Sequence, residues 1–322
     1  MTIGSSILFI KTSSLGDVVH QMPAMTDARS HYPGARLTWI VEEAFAPLAR
    51  LHPGVDEVIP VATRRWRSAL LHPSTWKEIS AFKARVRAVD ASKAVDTQGL
   101  LRSALIARIA KGERHGYDAK SIREPLASRF YDVTHTVSRD LHAVTRNRTL
   151  TGLSLGYQPA QRIDYGLIKP PPQQNAAPYA VLLHGTSRPT KEWRESEWIG
   201  IGQWLRRQNI DVVLPWGSER ERLRCERLSR GIPQSRVLER QSLDKTAQVI
   251  ANAALVVGVD TGLLHLAAAY EVPLIAVFLA TDPGLTGPAG NGPIAVLGGK
   301  NATPAFAQAI AEAEKMGFAK TA

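Results

Sequence analysis

Short runs rich in β-branched residues alternate with longer amphipathic runs along this chain, and the alternation occurs twice. In the first half it predicts strands at 7–11, 37–41, 57–61 and 94–96 and helices at 18–30, 44–51, 76–89 and 100–110. In the second half it predicts strands at 179–183, 212–214, 255–259 and 274–278 and helices at 196–207, 220–229, 243–251, 263–269 and 305–315. Such alternation is typical of parallel, doubly wound α/β sheets.

A polar, proline-rich stretch separates the two alternating halves. Residues 170–172 are three consecutive prolines, which fit neither a helix nor a central strand. We therefore predict a Rossmann-like domain at 1–158, a linker at 159–178, and a second Rossmann-like domain with a closing helix at 179–322. The carboxyl ends of two such sheets can face each other across a cleft, where ligands bind.

The net charge of +11 is unevenly distributed along the chain. Residues 1–150 carry 22 basic and 14 acidic side chains, a net of +8, whereas residues 151–322 carry 18 and 15. A basic half favours an anionic partner, such as a nucleic acid, an acidic lipid surface or an acidic substrate; a surface that merely aids solubility is the alternative. The single cysteine, Cys225, suits a reducing compartment. Without an apolar run of about 18 residues or a basic leader, the chain is predicted to be cytoplasmic.

A small polar loop follows the first predicted strand, at the place where an α/β sheet binds its ligand. Residues 11–19 contain one glycine, Gly16, and no Gly-Lys-Ser/Thr ending, so the loop is neither a dinucleotide fingerprint nor a P-loop. Asp17 has two interpretations. It can cap the next helix, or it can be a carboxylate placed as a general base.

Two loops of the second half suggest a nucleotide. Residues 184–194 combine hydroxyls, a glycine and several cations between a strand and a helix, which suits a phosphate but also an ordinary solvated loop. Glu221 follows the next strand and can accept hydrogen bonds from a ribose. As a carboxylate in the first turn of a helix, it can equally be favoured by the helix dipole alone.

The sharpest signal lies at residues 259–268. A predicted strand ends at Asp260, and Thr261 and Gly262 expose backbone N–H groups at the start of a helix. Such a helix start binds an anion through its unpaired donors and its dipole. His265 lies one turn further on, as either a ligand contact or a packed helix residue.

A basic segment, residues 64–67, reads Arg-Arg-Trp-Arg and is followed by further cations at 77, 83, 85 and 87. Arginine forks bind carboxylates and phosphates in a bidentate manner, so Arg64, Arg65 and Arg67 are predicted to serve an acidic acceptor. The later cations fit a solvated helix face. Trp66 is either a core residue or a membrane-interface anchor.

These motifs resemble the ADP-heptose glycosyltransferases of lipopolysaccharide inner-core assembly, family 9. The resemblance rests on Asp-Thr-Gly-x-x-His-Leu-Ala at 260–267, Lys-Glu-Trp at 191–193 and Ser-Leu-Gly-Asp at 14–17, and it extends over nearly the whole chain. Segments 64–67, 96–100 and 123–128 are more similar to the members that add the first heptose to Kdo on lipid A than to those that add the second. Thr186-Ser187 stand where two threonines are expected, and the hydroxyls are kept.

The resemblance implies a GT-B fold and metal-independent, inverting transfer that requires no cofactor. It implies that Asp17 is the catalytic base and that Lys191 contacts the diphosphate of the donor. It assigns donor binding to Thr186, Ser187, Lys191, Glu221, Asp260, Thr261, Gly262 and His265. It assigns acceptor binding to Ser14, Gly16, Arg64, Arg65, Arg67, Gln98 and Arg123.

The partners implied are ADP-heptose as donor, Kdo2-lipid A as acceptor, and the anionic cytoplasmic face of the inner membrane, to which a monomer would bind peripherally. The alternatives are heptosyltransferase II, another GT-B transferase with a different acceptor, and an epimerase-type enzyme of the same fold. A basic nucleic-acid-binding protein is the non-enzymatic alternative. It is disfavoured because the sequence has no zinc spacing, no helix-turn-helix signature and no aromatic residues clustered on a basic strand.

Overall fold

A computed structural model of the protein describes residues 6–171, 177–186, 188–300 and 302–318. The chain divides between Leu167 and Ile168 into two units, and each contains one six-stranded sheet among its described residues. The predicted bounds of the linker stay a prediction, and its residues 172–176 lie outside the described ranges. The beginning of this stretch packs on the first unit, because Arg148 Nη2 donates to the carbonyl of Ala160 at 2.6 Å.

The first unit alternates strands and helices. Its strands are β1 (Ser6–Ile10), β2 (Arg36–Glu42), β3 (Glu57–Val61), β4 (Lys93–Asp96), β5 (Glu113–Tyr117) and β6 (Val133–His135). Its helices are α1 (Leu15–His31), α2 (Ala46–Ala49), α3 (Thr63–Ser68), α4 (Pro73–Ala88), α5 (Leu101–Ala107) and α6 (Ala143–Leu155). The strand order is β3-β2-β1-β4-β5-β6, and all neighbours are parallel.

The second unit repeats this plan. Its strands are β7 (Tyr179–Leu183), β8 (Asp211–Leu214), β9 (Arg236–Val237), β10 (Leu255–Val259), β11 (Leu274–Phe278) and β12 (Ile294–Gly298). Its helices are α7 (Glu195–Arg207), α8 (Glu219–Gly231), α9 (Leu243–Ala251), α10 (Gly262–Ala269) and α11 (Phe306–Lys315). The order is β12-β11-β10-β7-β8-β9, again with parallel neighbours.

Both sheets have the strand order of doubly wound nucleotide-binding folds. In each, the order reverses between two central strands, β1 and β4 in the first unit and β7 and β10 in the second. The carboxyl ends of the strands on either side of such a switch point leave a crevice in which ligands bind. The fold therefore positions ligands at the loops after these four strands.

The central strands are apolar because helices cover both of their faces. Residues 7–10 of β1 and 255–257 of β10 are fully buried, as expected for parallel strands inside a doubly wound sheet. In the second unit the rings of Trp193 and Trp198 pack edge to face at 5.1 Å, and Trp193 Nε1 donates to the carbonyl of Pro304 at 2.8 Å. This anchor holds the loop that carries Lys191.

The predicted α/β class with parallel sheets is confirmed, and the predicted strands and most predicted helices lie within a few residues of the observed ones. The predicted helix at 44–51 is wrong in extent. A 3-10 turn over Glu43–Phe45 precedes a single α-helical turn, α2, which ends before the His-Pro-Gly turn at 52–54. Among the strands and α-helices of the described residues, six are not predicted: β5, β6, β9, β12, α3 and α6.

Candidate active site

The ends of β7 and β10 bring three predicted donor residues together in the second unit. Asp260 directly follows β10, and its backbone carbonyl accepts a hydrogen bond from Thr186 Oγ1 at 3.1 Å. Lys191 Nζ lies 2.6 Å from Asp260 Oδ2, with both side chains largely buried. The adjoining Ser187 lies outside the described residues. A cation and a carboxylate therefore meet at the switch point of this sheet.

Thr281 belongs to the same cluster, although the sequence did not suggest it. Its Oγ1 donates to Asp260 Oδ2 at 2.6 Å, so this carboxylate oxygen accepts bonds from both Thr281 and Lys191. Thr281 follows β11, the strand next to β10. The sequence could have indicated Thr281 only through its position after β11, another central strand of this sheet.

The start of α10 lies beside this ion pair. Thr261 is the N-cap residue with an extended backbone, and the helix begins at Gly262. The first N–H groups of a helix have no partner within the helix and carry its positive dipole end, which suits an anion such as a diphosphate. His265 is buried one turn further along, and its assignment to the donor stays a prediction.

Glu221 both caps α8 and lines a small cavity. Its Oε2 accepts from the backbone N–H of Gly217 at 2.7 Å and of Ser218 at 3.3 Å, while Ser218 Oγ accepts from Glu221 N–H. A cavity of about 60 Å³ adjoins it, lined by Gly185, Thr186, Glu192, Ser218, Arg220, Glu221 and Arg224. A Cβ atom at Gly185 would lie 2.6 Å from Glu221 Oε1, so a larger residue at position 185 would displace the Glu221 side chain.

Three buried side chains, His184, Arg224 and Cys225, pack next to this cavity. His184 Nε2 lies 2.9 Å from Cys225 Sγ, and Arg224 Nη1 donates to the carbonyl of His184 at 3.1 Å. Burial raises the pKa of the Cys225 thiol to about 12 and lowers the pKa of His184 to about 4. The thiol therefore stays protonated and the imidazole neutral at pH 7, which makes this pair a packing contact and not a nucleophile with its base.

In the first unit, the loop after β1 meets the loop after β4. Gln98 Oε1 accepts from the backbone N–H groups of Thr12 and Ser13, each at 3.0 Å. Asp17 lies in the first turn of α1, and its Oδ2 accepts from Ser14 N–H at 2.6 Å and from Ser14 Oγ at 3.1 Å. Asp17 therefore caps the start of α1, as one of its two interpretations predicts. The general-base interpretation stays a prediction, and the position of Asp17 at the switch point fits it.

Buried charges hold these two loops in place. Lys11 Nζ donates to the carbonyl of Thr97 at 3.0 Å, and Tyr131 donates its hydroxyl to Asp96 Oδ2 at 2.8 Å. Asp96 Oδ1 also accepts from Gln98 N–H at 2.8 Å. Burial lowers the pKa of Lys11 and raises the pKa of Asp96. The sequence did not mark these residues as supports, because they pair with groups distant along the chain.

The three arginines of the basic segment have different surroundings. Arg65 forms ion pairs with Glu43 at 3.0 Å and Glu78 at 2.8 Å. The Arg64 guanidinium lies 5.4 Å from the centre of the Phe45 ring, and Arg67 is exposed at the end of α3. Any anion that binds Arg65 must therefore compete with two carboxylates, whereas Arg67 is directly accessible.

Trp66 is anchored in this region by its neighbours. Its Nε1 donates to Glu78 Oε2 at 2.9 Å, and its ring packs against Phe82 with the ring centres 5.6 Å apart. Trp66 is only partly buried, so both interpretations of this residue stay predictions.

Arg123 lines an open groove of about 560 Å³ in the first unit. The other lining residues are Leu100, Leu101, Arg102, Leu105 and Glu124. Arg102, which the sequence did not single out, donates to Ser13 Oγ at 2.5 Å and so connects this groove to the loop that carries Asp17. The groove offers two cations beside apolar side chains.

Two further observations concern the described residues as a whole. No group of three or more His, Cys, Asp and Glu side chains among them is arranged to hold a metal ion. No helix within the same residues is both long and apolar enough to cross a membrane. The prediction that transfer needs neither metal nor cofactor stays a prediction.

Comparison with known proteins identifies the family. The model of "Glycosyltransferase family 9 (heptosyltransferase)" matches residues 79–315, which is more than half of the chain. The chain belongs to glycosyltransferase family 9. The matched range contains Lys191, Glu221 and Asp260, whereas Asp17 precedes it.

Relatives within this family are similar over most of the chain. Lipopolysaccharide heptosyltransferase 1 of Salmonella typhimurium is 44% identical over 294 residues, which are 90% of this chain and 93% of the relative. The protein of the same name from Escherichia coli K12 is 43% identical over 286 residues, which are 87% of this chain and 90% of the relative. The predicted resemblance is therefore confirmed.

Solved structures agree with this family assignment. E. coli heptosyltransferase WaaC with ADP has a TM-score of 0.91 at 40% identity, over 96% of this chain and 99% of that chain. The same enzyme with ADP-2-deoxy-2-fluoro heptose has a TM-score of 0.88 at 39% identity, over 97% and 99% of the two chains. The predictions of a GT-B glycosyltransferase fold and of a transferase are confirmed, and the nucleic-acid-binding alternative is set aside.

Proposed function

We propose that this family 9 transferase moves L-glycero-D-manno-heptose from ADP-heptose to the Kdo of Kdo2-lipid A, with inversion at the anomeric carbon. The observation that carries the proposal is the cluster of Lys191, Asp260 and the start of α10 at the ends of β7 and β10. The names of its relatives, lipopolysaccharide heptosyltransferase 1, support the choice of reaction. The solved relative with an ADP-heptose analogue supports the choice of donor.

The donor side of the reaction needs positive charge that becomes more effective as ADP leaves. Lys191 and the backbone N–H groups at the start of α10 would stabilise the charge that grows on the diphosphate. Asp260 and Thr281 hold the Lys191 ammonium in place before the substrate binds. A fixed cation costs little reorganisation when the bond breaks, which is why the pair favours catalysis.

The acceptor side needs a base, because a sugar hydroxyl is too weakly acidic to attack unaided. Asp17 would take the proton of the Kdo hydroxyl while this oxygen attacks the anomeric carbon from the face opposite ADP. Two hydrogen bonds from Ser14 orient the carboxylate and use about half of its acceptor positions. The leaving ADP needs no proton, so a second carboxylic acid, as in a glycosidase, is not required.

The proposed transfer uses no metal and no cofactor. Lys191 and the amides of α10 supply the positive charge that a divalent cation provides in other nucleotide-sugar enzymes. Glu221, beside the cavity of the second unit, would accept hydrogen bonds from the ribose of ADP.

The acceptor would bind to the first unit through its anionic groups. Arg67 and Arg123 are exposed, and arginine forks match both the carboxylate of Kdo and the phosphates of lipid A. Ser14, Gly16 and Gln98 form the loops around Asp17 and would position the sugar hydroxyls. Arg102 joins this set, because its bond to Ser13 places it beside the same loop.

We also propose that the protein acts as a monomer on the cytoplasmic face of the inner membrane, to which it binds peripherally. The net charge of +8 over residues 1–150 supports attraction to anionic lipids. The proposed acceptor is itself a lipid, so the active site must work at a bilayer surface.

The test is mass spectrometry of the product formed from ADP-heptose and Kdo2-lipid A. We expect an acceptor that is heavier by one heptose residue, and no product when ADP-glucose replaces the donor. A parallel reaction starts from an acceptor that already carries its first heptose. Product from this second acceptor alone would support the heptosyltransferase II alternative instead.

A further inference from the structure

Three large apolar side chains are exposed on the first unit, two of them between α3 and α4 and the third near the start of α4. Leu70 is 48% exposed, Leu71 is 98% exposed and Trp76 is 57% exposed. We refer to these three residues as the apolar tip. Single exposed apolar residues are common on protein surfaces, but a cluster rimmed by polar groups marks an interaction site.

The apolar tip is held in shape by its own hydrogen bonds. Trp76 Nε1 donates to the carbonyl of Leu70 at 2.8 Å, and Thr75 Oγ1 donates to the carbonyl of Ala69 at 2.8 Å. His72 N–H closes the turn on the same Ala69 carbonyl at 3.0 Å. Because the indole N–H is already bonded, the ring can enter an apolar medium without leaving a donor unpaired.

The surroundings of the apolar tip are basic. Residues 63–77 include three arginines and Lys77 but no aspartate or glutamate. Arg65 is neutralised by Glu43 and Glu78, whereas Arg67 and Lys77 are exposed and form no ion pair with any described residue. Leucine and tryptophan beside free cations are the composition of protein surfaces that bind at an anionic membrane interface.

We propose that the apolar tip inserts into the interface of an anionic bilayer, with Lys77 against the lipid headgroups. A second copy of this chain fits the surface less well, because a symmetric contact would bring the same cations together. The inference rests on the proposed function in one respect, because the proposed acceptor is a lipid and the enzyme would meet it at a bilayer. Docking itself requires no acceptor and is testable without it.

The first test measures binding of the full chain to vesicles of phosphatidylglycerol and phosphatidylethanolamine by flotation. We expect Leu71→Ser to weaken binding by about tenfold, because this side chain loses its transfer into the interface. Leu71 makes almost no contact with the fold, so the variant should fold like the parent. The matched control is Leu153→Ser, which changes an exposed leucine of α6. Leu153 lies at the opposite end of the sheet, because the carbonyl of the adjacent Ser154 accepts a hydrogen bond from Lys93 at the start of β4.

The second test separates charge from apolar insertion. Lys77→Gln should weaken binding at low salt, and this deficit should vanish in high salt because the headgroup charges are then screened. The deficit of Leu71→Ser should persist at both salt concentrations. The control for charge is Lys111→Gln, an exposed lysine that precedes β5 at the other end of the sheet.

Equal binding by Leu71→Ser and the parent, or equal losses in Leu71→Ser and Leu153→Ser, would overturn the proposal. So would binding that occurs only when vesicles contain the acceptor lipid, since the tip would then contact the acceptor and not the bilayer. Turnover on a Kdo acceptor without acyl chains distinguishes a failure of membrane docking from a failure of the proposed heptosyl transfer. Leu71→Ser should match the parent there, and failure of the parent itself would count against the proposed reaction but not against docking.

Discussion

At the scale of single residues, the position of Lys191 in the proposed ADP site depends on the hydrogen bonds of Asp260. Its Oδ2 accepts from Lys191 at 2.6 Å and from Thr281 at 2.6 Å. The hydrogen bond from Thr281 holds the carboxylate, and the carboxylate in turn orients the Lys191 ammonium beside the start of α10.

Replacing Thr281 with valine keeps the shape of the side chain and removes the hydroxyl donor. Asp260 then bonds more strongly to Lys191, and we expect the affinity for ADP to fall by about tenfold, in line with the loss of a hydrogen bond to a charged group. Calorimetric titration with ADP measures this. Thr303→Val, at an exposed threonine of the same unit, is the control and should leave the affinity unchanged. Unchanged affinity in Thr281→Val would mean that Lys191 needs no such support.

At the scale of elements, the sequence predicted the fully buried apolar strands and missed polar or partly exposed ones; β12 was missed although it is apolar, and its residues are only partly buried or exposed. β1 and β10 are continuous apolar runs, whereas β5 reads Glu-Arg-His-Gly-Tyr and has no apolar alternation. α6 escaped prediction because it buries Asn147, Arg148 and Thr151 among its inward residues. Polar groups that find partners only after folding leave no periodic signal in the sequence.

The same distinction separates the predicted from the unpredicted site residues. Asp17, Lys191 and Asp260 were predicted from their place at strand ends and from family motifs. Thr281 and Arg102 were not, because each acts on a residue that the fold brings near from a distant part of the chain. A single sequence indicates which loop comes after each strand, but it does not indicate which loops meet in the folded protein.

The packing of α6 on α1 provides a test of this element. Arg148 Nε lies 2.6 Å from Asp27 Oδ2, and both side chains are buried. We expect Asp27→Asn to lower the free energy of unfolding by about 3–5 kcal/mol, because it leaves a buried guanidinium without its counter-charge. Urea unfolding measures this. The double variant Asp27→Asn/Arg148→Met should recover part of the loss, and strictly additive losses would show that the two side chains are not coupled.

At the scale of the whole molecule, the two units have different roles in the proposed reaction. The second unit carries the cluster for the leaving diphosphate, and the first carries Asp17 and the exposed arginines. Substitutions in the first unit should therefore change acceptor use and chemistry while the affinity for ADP stays the same. This separation of effects distinguishes a catalytic role from a general loss of structure.

Arg67→Ala tests the acceptor half of this division. We expect the KM for the acceptor to rise by about tenfold, because a charge-assisted contact to an anionic group is lost. The affinity for ADP should stay at the parent value. Arg87→Ala removes an exposed arginine from α4 and serves as the control. A similar rise in both variants would point to overall charge and not to Arg67.

The most direct test of the central claim is Asp17→Asn, assayed for single turnover and for ADP-heptose affinity in the same preparation. Asparagine keeps the acceptor oxygen for Ser14 and caps a helix about as well as aspartate, so only basicity is lost. Asp90→Asn, at an exposed aspartate of the same unit, is the control. We expect turnover to fall by at least about 100-fold while ADP-heptose affinity and the unfolding midpoint stay close to the parent values. Turnover that stays within a few-fold of the parent would contradict the central claim, because Asp17 would then be only a helix cap.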